Sequence, residues 1–350
     1  MIRIFDLATR PAAVAAEAEA AVVRVLRSGK YIGGDVVAEA EAAAAGVFGH
    51  RGAVGVGSGT DALAIALQAA GVRPGDEVIV PAWTFFATAG AVCLIGAIPV
   101  IVDVGLDGLL DPNAAAAAVG PRTRAIVPVH LFGATAHAPD VGIPIVDDAA
   151  QAAGADPPRR CGAIAAASTY PTKAWASAGD GGFVLADDPD VLARARAIGS
   201  HGLVGPHDHA EIDGLVGRNS RLDALQAAVL LAHLPHLEAA TARRREIAAR
   251  YDVALGAGLR PLPRDAGHPV SLYVLRCDER DAVAARLRAA GVETAVYYPR
   301  PLGDQPALST IARITPCPVA RALSAQALAV PCRDGLSDRE VDTICQALHA

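Results

Sequence analysis

The 350-residue sequence predicts an α/β protein, with a large domain built on a mostly parallel seven-stranded sheet and a smaller α+β domain at the C-terminal end. Three observations support this fold class. Short runs rich in β-branched residues alternate with helical stretches over much of the chain. These runs are apolar on both faces, which is typical of parallel strands covered by helices on both sides. After about Gly214 the alternation gives way to long helices with few strands.

Two helices are predicted before the first strand. Residues 13–27 form the first, which ends at Ser28-Gly29, and residues 36–48 form the second, which ends at Gly49. Glycine is the usual residue just past a helix, because it adopts left-handed backbone angles without a steric penalty.

The predicted strands of the large domain follow these two helices. Their expected ranges are 53–57, 77–80, 100–102, 125–129, 143–146, 164–170 and 183–186.

The C-terminal part begins with a long helical stretch over residues 222–255, which we expect to bend near Pro235. A strand at 272–276 and further short elements then complete a smaller unit. We place the domain boundary within the long helix, which gives a large domain over residues 1–238 and a small domain over 239–350.

Composition and charge exclude several classes of protein. The net charge of −6 is spread along the chain without a basic stripe, so neither nucleic acid nor an anionic membrane is an expected partner. The six cysteines form no C-x-x-C pair, so we expect no metal site and reduced thiols. Because the sequence shows neither a signal-peptide pattern nor an apolar run of spanning length, a cytoplasmic location is expected.

The glycine-rich run from Gly55 to Leu63 leaves a strand and opens a helix. Backbone N–H groups near Gly59 and Thr60 would then point out of a helix N-terminus, where phosphate binds well. A plain capping box with Ser58 as N-cap and Asp61 three residues later fits equally well. A dinucleotide-binding loop is a third interpretation, although the glycine spacing differs from G-x-G-x-x-G.

Asp148 follows an apolar strand, at the edge of the sheet where open α/β proteins bind ligands. With its neighbour Asp147 it could form a solvated turn. Alternatively, Asp148 could stay ionised by pairing with a cationic heterocycle such as a protonated pyridine.

Lys173 is one of two lysines in the chain, the other being Lys30. It lies in a loop after the strand that ends near Ser168, among small apolar residues, where desolvation would depress its pKa and make the amine nucleophilic. An ordinary solvent-facing lysine is the alternative. Three aromatic residues follow another strand, and one of them, Phe85, could stack on a flat cofactor or belong to the core.

Ten motifs, in this order, resemble the DegT/DnrJ/EryC1/StrS family of sugar aminotransferases over nearly the whole chain. They are Phe5-Asp-Leu, Ser28-Gly-Lys-Tyr-Ile-Gly-Gly, Gly59-Thr-Asp-Ala-Leu, Pro74-Gly-Asp-Glu-Val, Val129-His-Leu-Phe-Gly, Asp148-Ala-Ala-Gln, Tyr170-Pro-Thr-Lys, Gly179-Asp-Gly-Gly, His201-Gly and Gly217-Arg-Asn-Ser-Arg-Leu. This resemblance implies the aspartate-aminotransferase-like fold, fold type I of pyridoxal-phosphate enzymes.

The resemblance also implies a role for each matched residue. Lys173 matches the lysine that carries pyridoxal 5′-phosphate as an internal aldimine, and Asp148 matches the carboxylate that keeps the pyridine nitrogen protonated. The other matches are Gln151 near the phenolic oxygen, Gly59, Thr60 and Ser168 at the phosphate, Phe85 on the ring and Asn219 reaching the phosphate from a neighbouring subunit.

The implied reaction is a ping-pong transamination in a homodimer with shared active sites. Glutamate would give its amino group to the cofactor, leaving pyridoxamine 5′-phosphate, and a keto sugar would then be aminated. Phe5-Asp-Leu and the segment after Lys30 favour a dTDP-linked 3- or 4-keto-6-deoxysugar, as in antibiotic aminosugar biosynthesis. Tyr31 and Tyr298 are the candidate substrate-binding residues.

Departures from the family pattern leave the acceptor open. Ala174 stands where the family usually has Asn after the lysine, and Gly303-Asp304 stands where it often has His. A cyclitol aminotransferase or an aminated-aromatic synthase would use the same motifs. A non-catalytic cofactor-binding regulator and a nicotinamide dehydrogenase are the rivals from other classes.

Overall fold

The structure is a computed structural model that describes residues 1–8, 11–205 and 207–349. The α-helices are α1 (Ala12–Ser28), α2 (Asp35–Phe48), α3 (Gly59–Ala69), α4 (Ala87–Leu94), α5 (Pro112–Ala118), α6 (Pro189–Gly199), α7 (Ala224–His233), α8 (Leu237–Ala254), α9 (Arg280–Ala289), α10 (Pro318–Gln326) and α11 (Asp338–His349). The strands are β1 (Gly52–Val56), β2 (Glu77–Pro81), β3 (Ile98–Val102), β4 (Thr123–Ile126), β5 (Val146–Asp148), β6 (Ile164–Ser168), β7 (Gly182–Ala186), β8 (Leu203–Gly205), β9 (Asp208–His209), β10 (Leu259–Pro261), β11 (Tyr273–Cys277), β12 (Arg313–Ile314) and β13 (Ala327–Val330).

The predicted strands of the large domain each overlap one of β1–β7, and they form two neighbouring sheets. One four-stranded sheet has the order β1-β7-β6-β5, and the other has the order β12-β3-β2-β4. Parallel bridges from Ile126 to Ile145 and from Val129 to Asp148 connect them at β4 and β5. Strand β7 runs antiparallel to β1 and β6, whereas the other pairs are parallel.

The single seven-stranded sheet predicted from the sequence is not confirmed. Strand β12 comes from the C-terminal part of the chain and pairs with β3 over only two residues, Arg313 and Ile314. So short a strand has no detectable alternation in the sequence, and its pairing is set by tertiary packing.

The first two helices end as the sequence predicts. Gly29 follows α1 with φ 69°, and Gly49 follows α2 with φ 71°, both in the left-handed region. The apolar faces of α1 and α2 pack against α7, and their shared core includes Ala40, Leu222 and Leu230.

The long C-terminal helical stretch is interrupted by a 3₁₀ turn at the proline where the sequence predicts a bend. Helix α7 ends at His233, a 3₁₀ turn spans Leu234–His236, and α8 then continues to Ala254. Pro235 lies within that turn. Because proline lacks the backbone N–H that a continuous α-helix would need at this position, the helical hydrogen bonding is interrupted there.

Helices α8, α9 and α11 surround a three-stranded antiparallel sheet of order β10-β11-β13. A separate apolar core lies there, with Tyr251, Tyr273 and Ile344 among its fully buried members. The C-terminal part of the chain also contacts the sheet that contains β2. The Leu302 N–H donates to the carbonyl of Ala82, directly after β2, at 2.8 Å. Among the described residues, no helix is long and apolar enough to cross a membrane.

Candidate active site

The loop after β6 holds Lys173 in a tight turn. The Lys173 N–H donates to the Tyr170 carbonyl at 2.8 Å, and Ser177 donates through its N–H and its hydroxyl to the Thr169 carbonyl. The half-buried Lys173 side chain lies close enough to Asp148 for their charges to interact. Burial lowers the pKa of Lys173 and the charge of Asp148 opposes that shift, so its amine is more easily deprotonated than an ordinary lysine.

Asp148 is the last residue of β5 and is buried beneath this loop. Its Oδ2 accepts from the Thr88 hydroxyl at 2.9 Å, and its Oδ1 accepts from the Ala150 N–H at 3.2 Å. Burial raises the pKa of Asp148 despite these donors and the nearby Lys173. The protein groups around Asp148 therefore do not supply enough positive charge to offset the cost of burying its carboxylate.

Asp147 has a different role from its neighbour, because successive residues of a strand point to opposite faces. Its Oδ2 accepts from the N–H groups of Cys161 at 2.8 Å and Gly162 at 3.0 Å. The His130 Nε2 lies 3.8 Å from Oδ1, which is too long for a hydrogen bond. Burial opposes ionisation, but these neighbours hold the pKa of Asp147 below its ordinary value. The two carboxylates do not form the solvated turn considered from the sequence.

The glycine-rich run forms an N-terminal helix cap, as the sequence predicts. The Ser58 hydroxyl accepts from the Asp61 N–H at 3.1 Å. The box is only half formed, since the Asp61 carboxylate accepts from the Ser220 hydroxyl at 2.7 Å. Within the described part of the chain, the N–H groups of Gly59 and Thr60 donate to no protein acceptor. They remain available for an anion at the start of α3.

Ser168 lies directly against this helix start. A Cβ atom on Gly59 would come within 2.5 Å of the Ser168 Cβ and 2.9 Å of its hydroxyl oxygen. The half-buried Ser168 hydroxyl therefore lies beside the helix N-terminus, and together they form one candidate phosphate seat.

Aromatic residues border the same site. Phe85 is 59% exposed, and its ring centroid lies 6.1 Å from that of Tyr298. Burial, reinforced by the charge of Asp148, raises the pKa of Tyr298, so its hydroxyl keeps its proton at neutral pH. Gln151 follows Asp148 by three residues, and its Oε1 accepts from the Phe132 N–H at 2.6 Å. This bond orients the Gln151 side chain.

Two of the predicted site residues lie outside this cluster. Tyr31 is 47% exposed, and its hydroxyl donates to the Leu26 carbonyl at 3.3 Å. Asn219 is also exposed, and its Oδ1 accepts from the Arg221 side chain at 3.1 Å. Neither residue contacts Lys173 or Asp148 within the chain.

Sequence reasoning missed Thr88. Its position, four residues after Thr84 in a segment rich in aromatic residues, gave a weak signal, and its partner Asp148 is 60 residues away in the sequence. The far side of the Lys173 loop also borders a cavity of about 410 Å³, whose walls include Phe5 and Arg243. None of the other predicted cofactor residues lines that cavity.

Known proteins are similar to this chain over most of its length. A relative from Pseudomonas aeruginosa named UDP-2-acetamido-2-deoxy-3-oxo-D-glucuronate aminotransferase is 39% identical, over 99% of this chain and 99% of its own. Another from Geobacillus stearothermophilus, named pleiotropic regulatory protein, is 37% identical over 93% of this chain and 91% of its own. The solved structure of S. venezuelae DesV in complex with a ketimine intermediate has a TM-score of 0.90 at 35% identity, covering 100% of this chain and 98% of that one. Residues 13–349 match the family model as well, and the chain belongs to the DegT/DnrJ/EryC1/StrS aminotransferase family.

Proposed function

We propose that this protein binds pyridoxal 5′-phosphate and transfers an amino group from glutamate to a keto sugar. The observation that carries the proposal is the buried carboxylate of Asp148 at the end of β5, which pairs with β6, the strand whose following loop holds Lys173. To stay ionised when buried, a carboxylate needs a cation close to it, and a protonated pyridine nitrogen is such a cation. The helix start at Gly59 and Thr60 offers two free N–H groups for a phosphate. These features fit the two ends of the cofactor.

When bound, pyridoxal phosphate supplies a cationic ring that withdraws electrons from the amino-bearing carbon of a substrate. The protein residues then divide the remaining work. Asp148 keeps a proton at the ring nitrogen, while Gly59, Thr60 and Ser168 hold the phosphate. Phe85 covers one face of the ring.

Lys173 would hold the cofactor through its Nζ, and this amine would be available to move protons once an amino substrate is bound. Its lowered pKa then suits it to accept the α-proton of the substrate and to return that proton to the cofactor carbon. Glutamate would react first, with 2-oxoglutarate as its product, and the keto sugar would then receive the amino group. Ping-pong kinetics follow from this order. Gln151, held by the Phe132 N–H, would face the phenolic oxygen of the ring.

A nucleotide-linked keto sugar is the acceptor best supported by the relatives. The Pseudomonas aeruginosa relative is named for a UDP-linked 3-oxo sugar, which supports a 3-keto position. The motifs quoted above favour a dTDP-linked 3- or 4-keto-6-deoxysugar. Tyr31 and Tyr298 are the proposed acceptor contacts, and the departures from the family pattern at Ala174 and Gly303-Asp304 leave the shape of the acceptor pocket open.

A homodimer with shared active sites would explain why two predicted site residues, Tyr31 and Asn219, lie away from Lys173 and Asp148 in one protomer. Asn219 and Tyr31 are exposed in one protomer and could reach the site of a partner subunit. A groove between α1, α2 and α7, with a volume of about 750 Å³ and walls that include Val25, Val36 and Leu231, supports contact with another subunit.

The finer organisation of the chain is proposed on the same basis. The large domain would span residues 1–238 and the small domain residues 239–350, with the two sheets acting as one through the bridges at β4 and β5. We also propose a cytoplasmic location, with which six free thiols are compatible.

A substrate screen tests this function. The purified protein with pyridoxal phosphate is incubated with glutamate and a panel of keto nucleotide sugars, keto-cyclitols and keto precursors of aromatic amines, and 2-oxoglutarate release is measured. We expect release with a keto nucleotide sugar and none from Lys173→Ala. A response only to a cyclitol or aromatic precursor would assign the alternative acceptor. Cofactor binding without any glutamate-dependent spectral change would instead indicate a non-catalytic regulator; the Geobacillus relative is named a regulatory protein.

A further inference from the structure

Thr88 contacts the buried carboxylate at the centre of the site. It is the second residue of α4 and is 1% exposed, and its hydroxyl donates to Asp148 Oδ2 at 2.9 Å. The Thr88 N–H donates to the Phe85 carbonyl at 3.2 Å, so the same turn also carries the exposed ring of Phe85. One short segment thus carries both the hydroxyl that contacts Asp148 and the exposed aromatic ring of Phe85.

The direction of the hydrogen bonds follows from the charge of Asp148. An ionised carboxylate only accepts hydrogen bonds, so the single hydroxyl proton of Thr88 is committed to Oδ2. The Thr84 hydroxyl lies 3.2 Å from that of Thr88 and is 3% exposed. It must then donate to the Thr88 oxygen, which gives a chain from Thr84 through Thr88 to Asp148. Each bond in such a chain polarises the next, and all three groups are buried from competing water.

The two oxygens of Asp148 are held by different elements. Oδ1 accepts from the Ala150 N–H in the loop after β5, and Oδ2 accepts from Thr88 in α4. Together these donors fix the rotation of the carboxyl group about its last bond. Without Thr88, only the hydrogen bond from the Ala150 N–H to Oδ1 would remain to oppose rotation of the carboxyl group.

We propose that Thr88, supported by Thr84, is a positioning residue that orients Asp148 and favours its ionised form toward the cationic nitrogen of the cofactor. This inference rests on the proposed function, since it assigns Asp148 to the ring nitrogen. A purely structural role for Thr88 would be to satisfy its own hydroxyl in the core. The two roles differ in what happens to the bound cofactor when the hydroxyl is removed.

The test compares Thr88→Val, which removes the donor at nearly constant volume, with Thr88→Ser, which keeps it. Thr241→Val is the matched control, because Thr241 is 2% exposed and its hydroxyl donates to the Leu237 carbonyl within α8. For each variant we would measure the dissociation constant of pyridoxal phosphate, the pH midpoint of the visible absorption of the bound cofactor, and thermal unfolding without cofactor.

Thr88→Val should raise the dissociation constant by about tenfold or more, the scale expected for a hydrogen bond to a charged group. The spectral midpoint should move to higher pH, because a more basic Asp148 draws the proton from the ring, and a less positive ring withdraws fewer electrons from the bond to Lys173. The value of kcat should fall more than KM for glutamate changes. Thr88→Ser should restore both spectrum and affinity.

Two outcomes would overturn the proposal while leaving the function intact. In the first, Thr88→Val has the wild-type spectral midpoint and cofactor affinity. In the second, these two quantities change no more in Thr88→Val than they do in Thr241→Val. If Thr88→Val does not fold, Thr84→Val takes its place and should give a smaller shift in the same direction, about two- to fivefold in affinity; no shift would overturn the proposal. A wild-type protein that binds no pyridoxal phosphate would instead overturn the proposed function.

Discussion

Gly59 at the start of α3 and Ser168 at the end of β6 lie so close that a Cβ atom on Gly59 would sit 2.5 Å from the Ser168 Cβ. Real Cβ atoms do not approach this closely, so one of the two elements would have to move. This close approach places the N–H groups of Gly59 and Thr60 next to the Ser168 hydroxyl, and the proposed phosphate seat depends on that arrangement.

Gly59→Ala should therefore weaken the binding of pyridoxal phosphate by about tenfold or more, since misplacement removes hydrogen bonds to a charged group. Gly46→Ala is the control, because Gly46 lies within α2 with no atom near its would-be Cβ, and that change should stabilise the protein by about 0.5–1 kcal/mol. Cofactor titration and thermal unfolding measure both effects. Unchanged affinity in Gly59→Ala would argue against the seat.

Asp148→Asn should separate stability from function. Because its folded pKa is raised, Asp148 costs stability progressively as the pH rises from its unfolded pKa through the folded value. Near pH 8 the cofactor-free Asn variant should be at least as stable as the wild type, with a flatter dependence of stability on pH. Cofactor affinity and turnover should both fall, because the neutral amide cannot hold a proton at the ring nitrogen.

Thermal unfolding of the cofactor-free protein across pH, combined with cofactor titration, checks this prediction. A cofactor-free Asp148→Asn protein that is clearly less stable than wild type would show that the carboxylate has a structural role. Unimpaired turnover would refute its pairing with the ring nitrogen.

Asp147→Asn should have the opposite effect. Its folded pKa is lowered, so it contributes stability above its unfolded pKa and loses that contribution as the pH falls through the folded value. The Asp147 carboxylate accepts hydrogen bonds from the N–H groups of Cys161 and Gly162, so removing its charge should lower the free energy of unfolding by about 1–3 kcal/mol at neutral pH. Denaturant unfolding measures the loss, and cofactor affinity should stay near that of the wild type. A variant as stable as the wild type would contradict this role.

The proposed sharing of sites between subunits predicts complementation. Lys173→Ala and Asn219→Ala should each be nearly inactive alone. In a mixed dimer, one site receives its lysine from the Asn219→Ala subunit and its asparagine from the other, so that site is intact. Unfolding and refolding the two variants together should restore up to about a quarter of the wild-type turnover per site, the fraction expected for random pairing of equal amounts. Mixtures as inactive as the separate variants would contradict shared sites.

Local rules predicted much of this fold. Gly29 and Gly49 end their helices, and Pro235 bends the long one, because each effect depends on neighbouring residues alone. The short strand β12 was not predicted, since its pairing with β3 is set by contacts more than 200 residues apart in sequence.

The site was predictable to a similar extent. The opposite orientations of Asp147 and Asp148 follow from strand periodicity and could have been deduced. The hydrogen bond from Thr88 to Asp148 could not, because nothing in the sequence pairs a buried hydroxyl with one particular carboxylate. The proposed reach of Asn219 into a partner's site rests on the family resemblance alone, because the residues around it carry no signal of their own for a second subunit.

The central claim is that Lys173 carries the cofactor, and the chain has only one other lysine, Lys30. Lys30 is exposed, whereas burial beside Asp148 makes the Lys173 amine the better nucleophile. Reducing the pyridoxal-phosphate-loaded protein with borohydride fixes the carbon–nitrogen bond, and peptide mass mapping then locates it. We predict the cofactor mass on the peptide that contains Lys173 and an unmodified Lys30. Labelling of Lys30 instead, or of neither lysine, would contradict the account.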